Sequence, residues 1–370
     1  MRIAQVAPLY ESVPPQLYGG TERVVSYLTE ELVRLGHDVT LFASGDSETK
    51  AKLIAACPRA LWRDDDCRET LPHHVRLMEL VFEDVSRFDL IHFHCDYLHF
   101  PLLRRCPCPN VTTLHGRLHV PDLGPLFAEY SEVPLVSISN DQRRPIPDAN
   151  WQATVYHGLP RDLHTYRERP GDYLAFLGRM SPEKRVDRAI EIVRRARMPL
   201  KVAAKIYPEE RAYFHDTIEP LLRESRRWVE FVGEVGGRDK DEFLGNARAL
   251  LFPIDWAEPF GLVMIEAMAC GTPVIGWRNG SVPEVITDGV TGFVVDSVEG
   301  AVQAVERLAR LSRRACRHVF DERFDAARMA RDYAAVYRHL VHAGSEIEPM
   351  PAQHDPRIPA ARGFAARLQC

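Results

Sequence analysis

Short apolar runs alternate with longer helix-forming segments along most of the chain, and this alternation limits the possible folds more than any other feature. An apolar run at residues 2–7 is followed by a helical pattern at 21–35, which Gly36 ends, and by a second run at 38–43. Strands that are apolar on both faces and separated by helices are typical of parallel sheets in α/β proteins. The sequence therefore predicts a doubly wound parallel sheet with covered faces.

The alternation stops near the middle of the chain and then restarts. The first part adds a predicted helix at 77–85 and predicted strands at 89–94, 111–114 and 135–139. After a polar, proline-bearing stretch at 160–170, strands are predicted at 173–178, 200–204, 229–232, 249–253 and 274–276. A length of 370 residues suits two domains. We therefore expect Rossmann-like domains at 1–165 and 170–325, with a ligand cleft at the carboxyl ends of their strands.

Composition excludes several classes of protein. The net charge of −5 argues against a dedicated nucleic-acid binder, which normally carries a basic surplus. No apolar run approaches the ~18 residues of a membrane span, and the first residues lack the apolar core of a signal peptide. The pairs Arg104-Arg105 and Arg143-Arg144 form no long amphipathic patch, so membrane contact is expected to be peripheral at most. Scattered cysteines favour reduced thiols and a cytoplasmic location.

The turn after the first predicted strand does not carry a dinucleotide-binding fingerprint. Neither a G-x-G-x-x-G segment at this turn nor a Walker sequence anywhere is present, which argues against dehydrogenases and P-loop enzymes. Gly19 and Gly20 stand here instead and permit positive φ angles and a close approach of the backbone to a ligand. They lead into a helix that Thr21 is predicted to cap.

Two carboxylates flank a predicted helix start in the second half of the chain. Glu258 lies in a loop that Pro259 and Gly261 define, and Glu266 lies inside the apolar helix that follows. The first N–H groups of this helix, at residues 261–264, form a seat for an anion such as phosphate. The two carboxylates could then hold hydroxyl groups on either side of that anion. The alternative is one surface carboxylate and one buried carboxylate satisfied by a neighbouring donor.

Two cations lie beside another predicted helix start. Arg179 ends an apolar run, Ser181 and Pro182 suit the N-cap and first helical positions, and Lys184 falls in the first turn. Such a pair of cations suits two linked phosphates. The alternative is a solvated basic helix start, since Arg185 and Arg188 also resemble surface charges.

Histidines mark the ends of two predicted strands in the first domain. His92 and His94 lie on one strand face with Asp96 in line, and His115 stands at the tip of the next strand. A metal site at His92 and His94 lacks further identifiable ligands. We expect His92 in the core and His94 and Asp96 in the cleft, whereas a lone histidine such as His115 is more often structural.

Several of these segments resemble one enzyme family. The two glutamates separated by seven residues, with Pro-Phe-Gly-Leu after the first, resemble the acidic motif of retaining glycosyltransferases with the GT-B fold, specifically glycosyltransferase family 4. Residues 178–184 are similar to the family's diphosphate-binding segment, and residues 113–116 to the segment carrying its N-domain histidine. The resemblance covers roughly residues 1–341 and is strongest at 176–296.

The resemblance implies a role for each matching position. By this resemblance, the catalytic residues would be His115 near the reacting oxygens, Arg179 and Lys184 beside the leaving diphosphate, and Glu258 in contact with the donor sugar. The remaining donor-binding positions are Gly19, Gly20, Lys205, Val235, Phe260, Gly261, Leu262, Val263 and Glu266, of which Glu266 would hold the ribose and Val235 would meet the base. Lys205 stands where many relatives have a Gly-x-Gly turn, and Gly280 and Ser281 could add backbone donors to the phosphates.

The GT-B fold also implies an arrangement for the end of the chain. Residues 326–341 form a predicted amphipathic helix, and the last helix of such enzymes (here 326–343) crosses back onto the first domain. Residues 345–370 are rich in Pro, Ala and Arg and predict a poorly ordered or loosely docked tail.

The activity that follows is retaining transfer of a hexose from a nucleotide diphosphate sugar to an acceptor hydroxyl. UDP-glucose is the first expected donor and GDP-mannose the second, and neither a cofactor nor a metal ion is implied. The alternatives are a GT-B sugar-nucleotide epimerase and a non-catalytic protein that binds sugar nucleotides.

Overall fold

A computed structural model describes residues 1–16 and 19–345 of the chain. Two parallel sheets organise it, as the alternation predicts. The first has the order β3-β2-β1-β4-β5-β6-β7 and the second the order β10-β9-β8-β11-β12-β13. The strands are β1 Arg2–Val6, β2 Asp38–Ser44, β3 Lys52–Cys57, β4 Leu90–Phe93, β5 Asn110–Thr113, β6 Leu135–Ser137, β7 Trp151–Thr154, β8 Tyr173–Arg179, β9 Leu200–Lys205, β10 Val229–Gly233, β11 Ala247–Phe252, β12 Val274–Trp277 and β13 Gly292–Val295.

Helices connect the strands and cover the sheets. They are α1 Gly20–Arg34, α2 Leu71–Phe82, α3 Phe100–Leu103, α4 Leu123–Glu129, α5 Asn140–Arg143, α6 Val186–Ala196, α7 Arg211–Tyr213, α8 Glu219–Glu224, α9 Gly237–Gly245, α10 Leu262–Ala269, α11 Val282–Val285, α12 Val298–Arg307, α13 Arg313–Arg323 and α14 Ala326–Ser345. Among these described helices, none combines the length and apolarity needed to cross a bilayer.

Three strands are absent from the sequence prediction, and all three lie at sheet edges. β3 and β7 end the first sheet on its two sides, and β13 ends the second. An edge strand pairs on one side only, so it needs no continuous apolar run. The side chains of β7, for example, are all half-buried. Central strands such as β1 and β4 are apolar and buried along most of their length, which is why sequence identifies them.

Two helix starts in the first lobe differ from the prediction. α1 begins at Gly20 after Gly19, whose φ of 151° only glycine adopts readily, so Thr21 lies inside the helix and does not cap it. α2 runs from Leu71 to Phe82 rather than over 77–85, because Pro72 in its first turn favours an earlier start.

The last helix, α14, packs on the first sheet although the preceding helix belongs to the second lobe. Met329, Tyr333 and Tyr337 are fully buried in one core cluster with Ile3 of β1 and Leu28 of α1. The Tyr337 hydroxyl also lies 2.7 Å from Nδ1 of His92. The two lobes thus share their final helix. The predicted tail at 345–370 lies outside the described residues beyond Ser345.

Glu284 of α11 joins the second lobe to the first. Its carboxylate accepts hydrogen bonds from the backbone N–H groups of Asn140 and Asp141 at 2.8 and 2.7 Å and from the Tyr156 hydroxyl at 2.9 Å. A carboxylate at these N–H groups is favourable because they also carry the positive end of the short α5 dipole. Glu284 therefore links the two lobes directly.

Removing this carboxylate is expected to loosen the two lobes. We expect Glu284→Ala to cost about 1–2 kcal/mol, because several charge-assisted hydrogen bonds are lost while water can reach the freed N–H groups. A lower melting temperature and a larger radius of gyration in small-angle X-ray scattering would report the change. Glu299→Ala, which removes an exposed carboxylate paired with Arg195, is the control and should leave both quantities unchanged. An unchanged radius of gyration in Glu284→Ala would show that Glu284 does not hold the two lobes together.

Candidate active site

A cleft of about 490 Å³ lies between the carboxyl ends of the strands of the two sheets. The side chains that enclose it come from both lobes, as expected for ligand sites of open α/β sheets. Apart from Gly280 and Ser281, all residues that the sequence assigned to catalysis or donor binding line this cleft. They are Gly19, Gly20, His115, Arg179, Lys184, Lys205, Val235, Glu258, Phe260, Gly261, Leu262, Val263 and Glu266.

The N-terminus of α10 opens into the cleft after a sharp turn at Gly261. Gly261 has a φ of +79°, which turns the loop after β11 directly into the helix. Its carbonyl accepts the N–H of Met264 at 3.0 Å, so Met264 cannot bind an anion as predicted. Leu262 and Val263 also line the cleft, and no hydrogen bond of the described residues uses their N–H groups. The anion seat therefore consists of these two donors and the positive end of the α10 dipole.

A neighbouring loop holds Glu258 in place. The Glu258 carbonyl accepts the N–H of Ser281 at 2.9 Å, and the Ser281 hydroxyl donates to the Phe260 carbonyl at 2.7 Å. A Cβ on Gly280 would lie 2.3 Å from the Glu258 nitrogen, so only glycine permits this close packing. The prediction that Gly280 and Ser281 donate to phosphates is therefore wrong for Ser281, whose N–H is already used, and neither residue lines the cleft.

Lys184 and Glu258 form an ion pair inside the cleft. The Lys184 ammonium contacts the Glu258 carboxylate, and the side chains are only 12% and 11% exposed. The ammonium also lies 4.9 Å from the centroid of the Trp256 ring and 5.5 Å from that of Phe252. The surrounding rings partly desolvate the pair, which strengthens its electrostatic interaction with any charge that enters the cleft.

The segment carrying Lys184 differs from the predicted helix start. Residues Pro182–Lys184 form a separate 3-10 turn, Arg185 follows with a left-handed φ of 57°, and α6 begins only at Val186. The Ser181 hydroxyl makes no cap hydrogen bond and is buried without a partner. Lys184 therefore precedes the helix and projects from a turn at the end of β8.

The three arginines near this turn have different surroundings. Arg179, the last residue of β8, pairs with Glu183 at 2.9 Å and with Glu210 at 3.4 Å. Arg188 is not a surface charge as predicted: its side chain is 13% exposed and donates to the Pro253 carbonyl at 2.9 Å. Of these arginines, only Arg179 lines the cleft.

Lys240 of α9 pairs with Glu266, a contact that the sequence prediction missed. The ammonium donates to the Glu266 carboxylate at 2.5 Å, and the side chains are 15% and 6% exposed. Burial alone raises the pKa of Glu266, but Lys240 above all, with His164 and Arg23, lowers it below its ordinary value. Glu266 is therefore an ionised acceptor of hydrogen bonds. The two partners are 26 residues apart, and no local pattern signals their contact.

A chain of hydrogen bonds fixes the ring of His115. Its Nε2 lies 2.9 Å from Nδ1 of His94, whose Nε2 lies 2.9 Å from the side-chain oxygen of Gln5. Because an amide oxygen only accepts, His94 donates through Nε2 and accepts at Nδ1, and His115 donates through Nε2. Burial lowers the pKa of His115 to about 3, so its Nδ1 is an unprotonated acceptor, and it is buried without a partner.

His92 does not form a metal site with His94. Its Nδ1 lies 2.7 Å from the Tyr337 hydroxyl and its Nε2 lies 2.7 Å from the Thr113 hydroxyl, so both ring nitrogens are used in the core. His94 and Asp96 both line the cleft, as expected. Glu22, in the first turn of α1, lines it too, and burial raises its pKa to about 7. Partial protonation of Glu22 weakens the repulsion it would exert on an anion near Gly19 and Gly20.

Two parallel-sheet lobes facing across a cleft, with a helix N-terminus set between lysine–glutamate pairs, have the architecture of GT-B glycosyltransferases. Two family models support this class: "Glycosyl transferases group 1" matches residues 167–323, and "Glycosyltransferase Family 4" matches residues 18–175. Together they span residues 18–323, which include every described strand except β1, and the chain belongs to the group 1 glycosyltransferases of the GT-B fold.

Relatives in this family differ in how much of the chain they match. The chain is 27% identical to the N-acetyl-alpha-D-glucosaminyl L-malate synthase of Bacillus anthracis, over 86% of this chain and 93% of that protein. It is 25% identical to the glycogen synthase of Mycobacterium tuberculosis, over 95% and 97% of the two chains. A 41.2 kDa protein of the Klebsiella pneumoniae cps region is 30% identical, but over only 45% of this chain and 46% of that protein, about half its length.

Solved structures share the fold at low sequence identity. The sucrose-phosphate synthase of Thermosynechococcus elongatus superposes with a TM-score of 0.74 at 20% identity, covering 92% of this chain and 99% of that one. Anabaena HepE in complex with UDP-glucose gives a TM-score of 0.70 at 15% identity, covering 92% of this chain and all of that one (100%). These similarities establish the GT-B architecture.

Proposed function

We propose that the protein is a retaining, metal-independent hexosyltransferase that moves a hexose from a nucleotide diphosphate sugar to an acceptor hydroxyl. UDP-glucose is the first candidate donor and GDP-mannose the second. The observation that carries the proposal is the pair Lys184–Glu258 beside the N-terminus of α10, inside a cleft that both lobes line. The free cysteines of the described chain suit a cytoplasmic enzyme.

The leaving diphosphate is the group that this arrangement can stabilise. Breaking the anomeric C–O bond places negative charge on the diphosphate, which the N–H groups of Leu262 and Val263 can receive. Arg179 and Lys184 supply fixed positive charge, and such charge in a partly desolvated site is worth several kcal/mol. A diphosphate would replace Glu258 as a partner of Lys184, because both present anionic oxygens to the same ammonium. If the two cations and the two N–H groups balance the negative charge of the leaving diphosphate, the transfer needs no metal ion.

Carboxylates and a histidine are available for the sugar and ribose hydroxyls. Glu258 would accept hydrogen bonds from the donor sugar and Glu266 from the ribose, while Val235 would meet the base. The unpartnered Nδ1 of His115 suits a sugar hydroxyl, because it can only accept. In keeping with the family resemblance, the leaving phosphate takes the acceptor proton on the face where the new bond forms, which gives retention.

A donor that fits the cleft should stabilise the fold. We expect UDP-glucose, screened beside GDP-mannose and ADP-glucose, to stabilise the protein by about 2.7 kcal/mol at a concentration of 100 Kd. Glucose alone is the control and should give no shift. Anomeric protons of the product, followed by NMR, then separate transfer from epimerisation, since an epimerase changes the donor without an acceptor. The absence of a shift with every sugar nucleotide would reject the proposal.

Turnover should survive removal of divalent metal ions. Because Arg179, Lys184 and the α10 N-terminus supply the positive charge, we expect the initial rate in excess EDTA to stay within twofold of the untreated rate. A metal-dependent glycosyltransferase assayed in parallel is the control for complete chelation. Loss of activity that added Mg²⁺ or Mn²⁺ restores would contradict the proposed site.

A further inference from the structure

An exposed tryptophan stands at the first-lobe side of the cleft on a rigid support. Trp62 lines the cleft and is 57% exposed. It belongs to the 3-10 turn Leu61–Arg63, whose Leu61 and Trp62 N–H groups donate to the carbonyls of Leu9 and Tyr10 at 2.9 and 3.0 Å. This anchoring fixes the backbone that carries the ring, so a ligand need not order the turn on binding.

Aromatic neighbours fix the orientation of the Trp62 ring. The Tyr10 ring lies 5.0 Å from it, centroid to centroid, with an interplanar angle of 32°. Tyr10 packs in turn on His74 at 4.8 Å, and His74 is held by the Thr70 carbonyl and the Leu9 N–H at 2.9 and 3.2 Å. The result is a preorganised aromatic surface that opens into the cleft.

A carboxylate faces the same part of the cleft. Asp96 follows β4 with a left-handed φ of 49°, a conformation that costs energy and often marks a functional position. Asp96 lines the cleft and is exposed to it. Partial desolvation by the surrounding protein raises the pKa of its carboxyl group. Tyr10 follows β1 and Asp96 follows β4, two strands that pair with Val6 opposite Phe93, so both residues come from the same edge of the sheet and line the same cleft.

We propose that Trp62, Tyr10 and Asp96 form the acceptor subsite and that the acceptor is a carbohydrate. A pyranose ring combines an apolar face of C–H groups with a rim of hydroxyls. The aromatic surface matches the face, and Asp96 accepts hydrogen bonds from the rim. This inference rests on the proposed function and deepens it by naming the acceptor class.

Charge near the aromatic surface argues against a membrane as its occupant. Leu71 and Val75 of α2 are exposed in the same region, at 59% and 57%, and could suggest a membrane-facing patch. However, the segment around the Trp62 turn carries four acidic residues (Asp64, Asp65, Asp66 and Glu69) against three arginines (Arg59, Arg63 and Arg68). It therefore has no basic surplus with which to bind an anionic membrane surface. Trp62 also opens into the cleft, where the acceptor hydroxyl must reach the donor.

Saturation-transfer NMR with simple pyranosides tests the subsite. The probes are methyl α-D-glucopyranoside, mannopyranoside and galactopyranoside, each with the full chain in the presence of UDP. We expect saturation transfer to ring C–H protons of at least one probe, reduced at least fivefold in Trp62→Ala and kept within twofold in Trp62→Phe. Leu71→Ala is the matched control, since it removes exposed apolar surface outside the cleft, and should behave as wild type.

A second variant and a vesicle assay make the result decisive. Asp96→Asn keeps a side chain that tolerates the left-handed conformation and should weaken the same signals at least threefold. Equal signals in wild type and Trp62→Ala would overturn the inference, as would no binding of any pyranoside together with Leu71- and Trp62-dependent sedimentation on phosphatidylcholine–phosphatidylglycerol vesicles. The UDP-induced thermal shift of each variant reports folding. It also separates the two proposals: no UDP-induced shift in wild type would count against the proposed function, whereas a normal UDP-induced shift with equal pyranoside signals in wild type and Trp62→Ala would reject the acceptor subsite alone.

Discussion

Lys184→Ala is expected to lower kcat by about 10²–10³-fold, the effect of removing one preorganised group that stabilises charge in a transition state. The ammonium lies in the cleft, only 12% exposed, against Glu258 and beside the Trp256 ring. Charge on the leaving diphosphate increases as the anomeric bond breaks, so kcat should fall more than KM for the donor rises. Steady-state kinetics with UDP-glucose, or the donor that the thermal screen selects, measures both.

The neighbouring cation provides a matched control for this experiment. Arg185 does not line the cleft, and its guanidinium pairs with Asp187 and Asp255, each at 2.8 Å. Arg185→Asn removes a positive charge one residue away and keeps a side chain that tolerates the left-handed φ of 57°. We expect its kcat to stay within threefold of wild type. If Lys184→Ala also kept wild-type kcat while folded, Lys184 would not stabilise the leaving group.

The sequence predicts the centre of each sheet better than its edges. Strands such as β1 and β11 are buried along almost their whole length, and that burial requires the apolar runs by which sequence identifies them. β7 is only half-buried and contains Trp151 and Gln152, so its pattern resembles a loop. Helix starts are also predicted poorly where glycine or a left-handed residue sets the turn, as at Gly19 and Arg185.

Site residues were predictable where a contiguous motif carries them. The Glu258 loop and the Lys184 turn each lie within a few residues of a strand end, so sequence alone places them at the mouth of the sheet. Lys240 and Glu284 contact partners that are far from them in sequence and that only the tertiary fold brings close. Nothing in their local sequence distinguishes them from ordinary surface charges, and the same holds for the aromatic support beneath Trp62.

Three cations that line the cleft from the second lobe are each paired with glutamate. Lys184 pairs with Glu258, Lys240 with Glu266, and Arg179 with Glu183 and Glu210. Lys240 lowers the pKa of Glu266 and so keeps this carboxylate ionised to accept hydroxyl groups. Removal of Lys240 therefore changes two things at once, namely the charge in the cleft and the protonation of Glu266.

Lys240→Met should make donor binding depend on pH. The Glu266 side chain is only 6% exposed, and besides Lys240 the titratable groups that interact with it electrostatically are His164, Arg23, Tyr27 and the Cys270 thiol. In wild type the pKa of Glu266 lies below its ordinary 4.5, so the carboxylate is ionised throughout pH 5.5–8. Without Lys240, less positive charge offsets the effect of burial on the carboxylate, so the pKa of Glu266 rises. Protonation on acidification then removes acceptor capacity for the ribose hydroxyls.

The ratio of donor KM in Lys240→Met to donor KM in wild type is the quantity to measure. We expect this ratio to rise at least tenfold between pH 8 and pH 5.5, and the ratio cancels the titration of Glu22, whose pKa of about 7 affects both proteins. Lys240→Arg keeps the charge and Arg238→Met removes an exposed neighbour on α9, so both should give flat ratios. The free energy of unfolding of Lys240→Met should also fall as the pH rises above 4.5, the ordinary pKa of a glutamate. Above that pH the unfolded carboxylate ionises freely, whereas the buried carboxylate with its raised pKa still holds its proton. A flat ratio in Lys240→Met would show that other groups keep Glu266 ionised, and that Lys240 does not prepare it for the ribose.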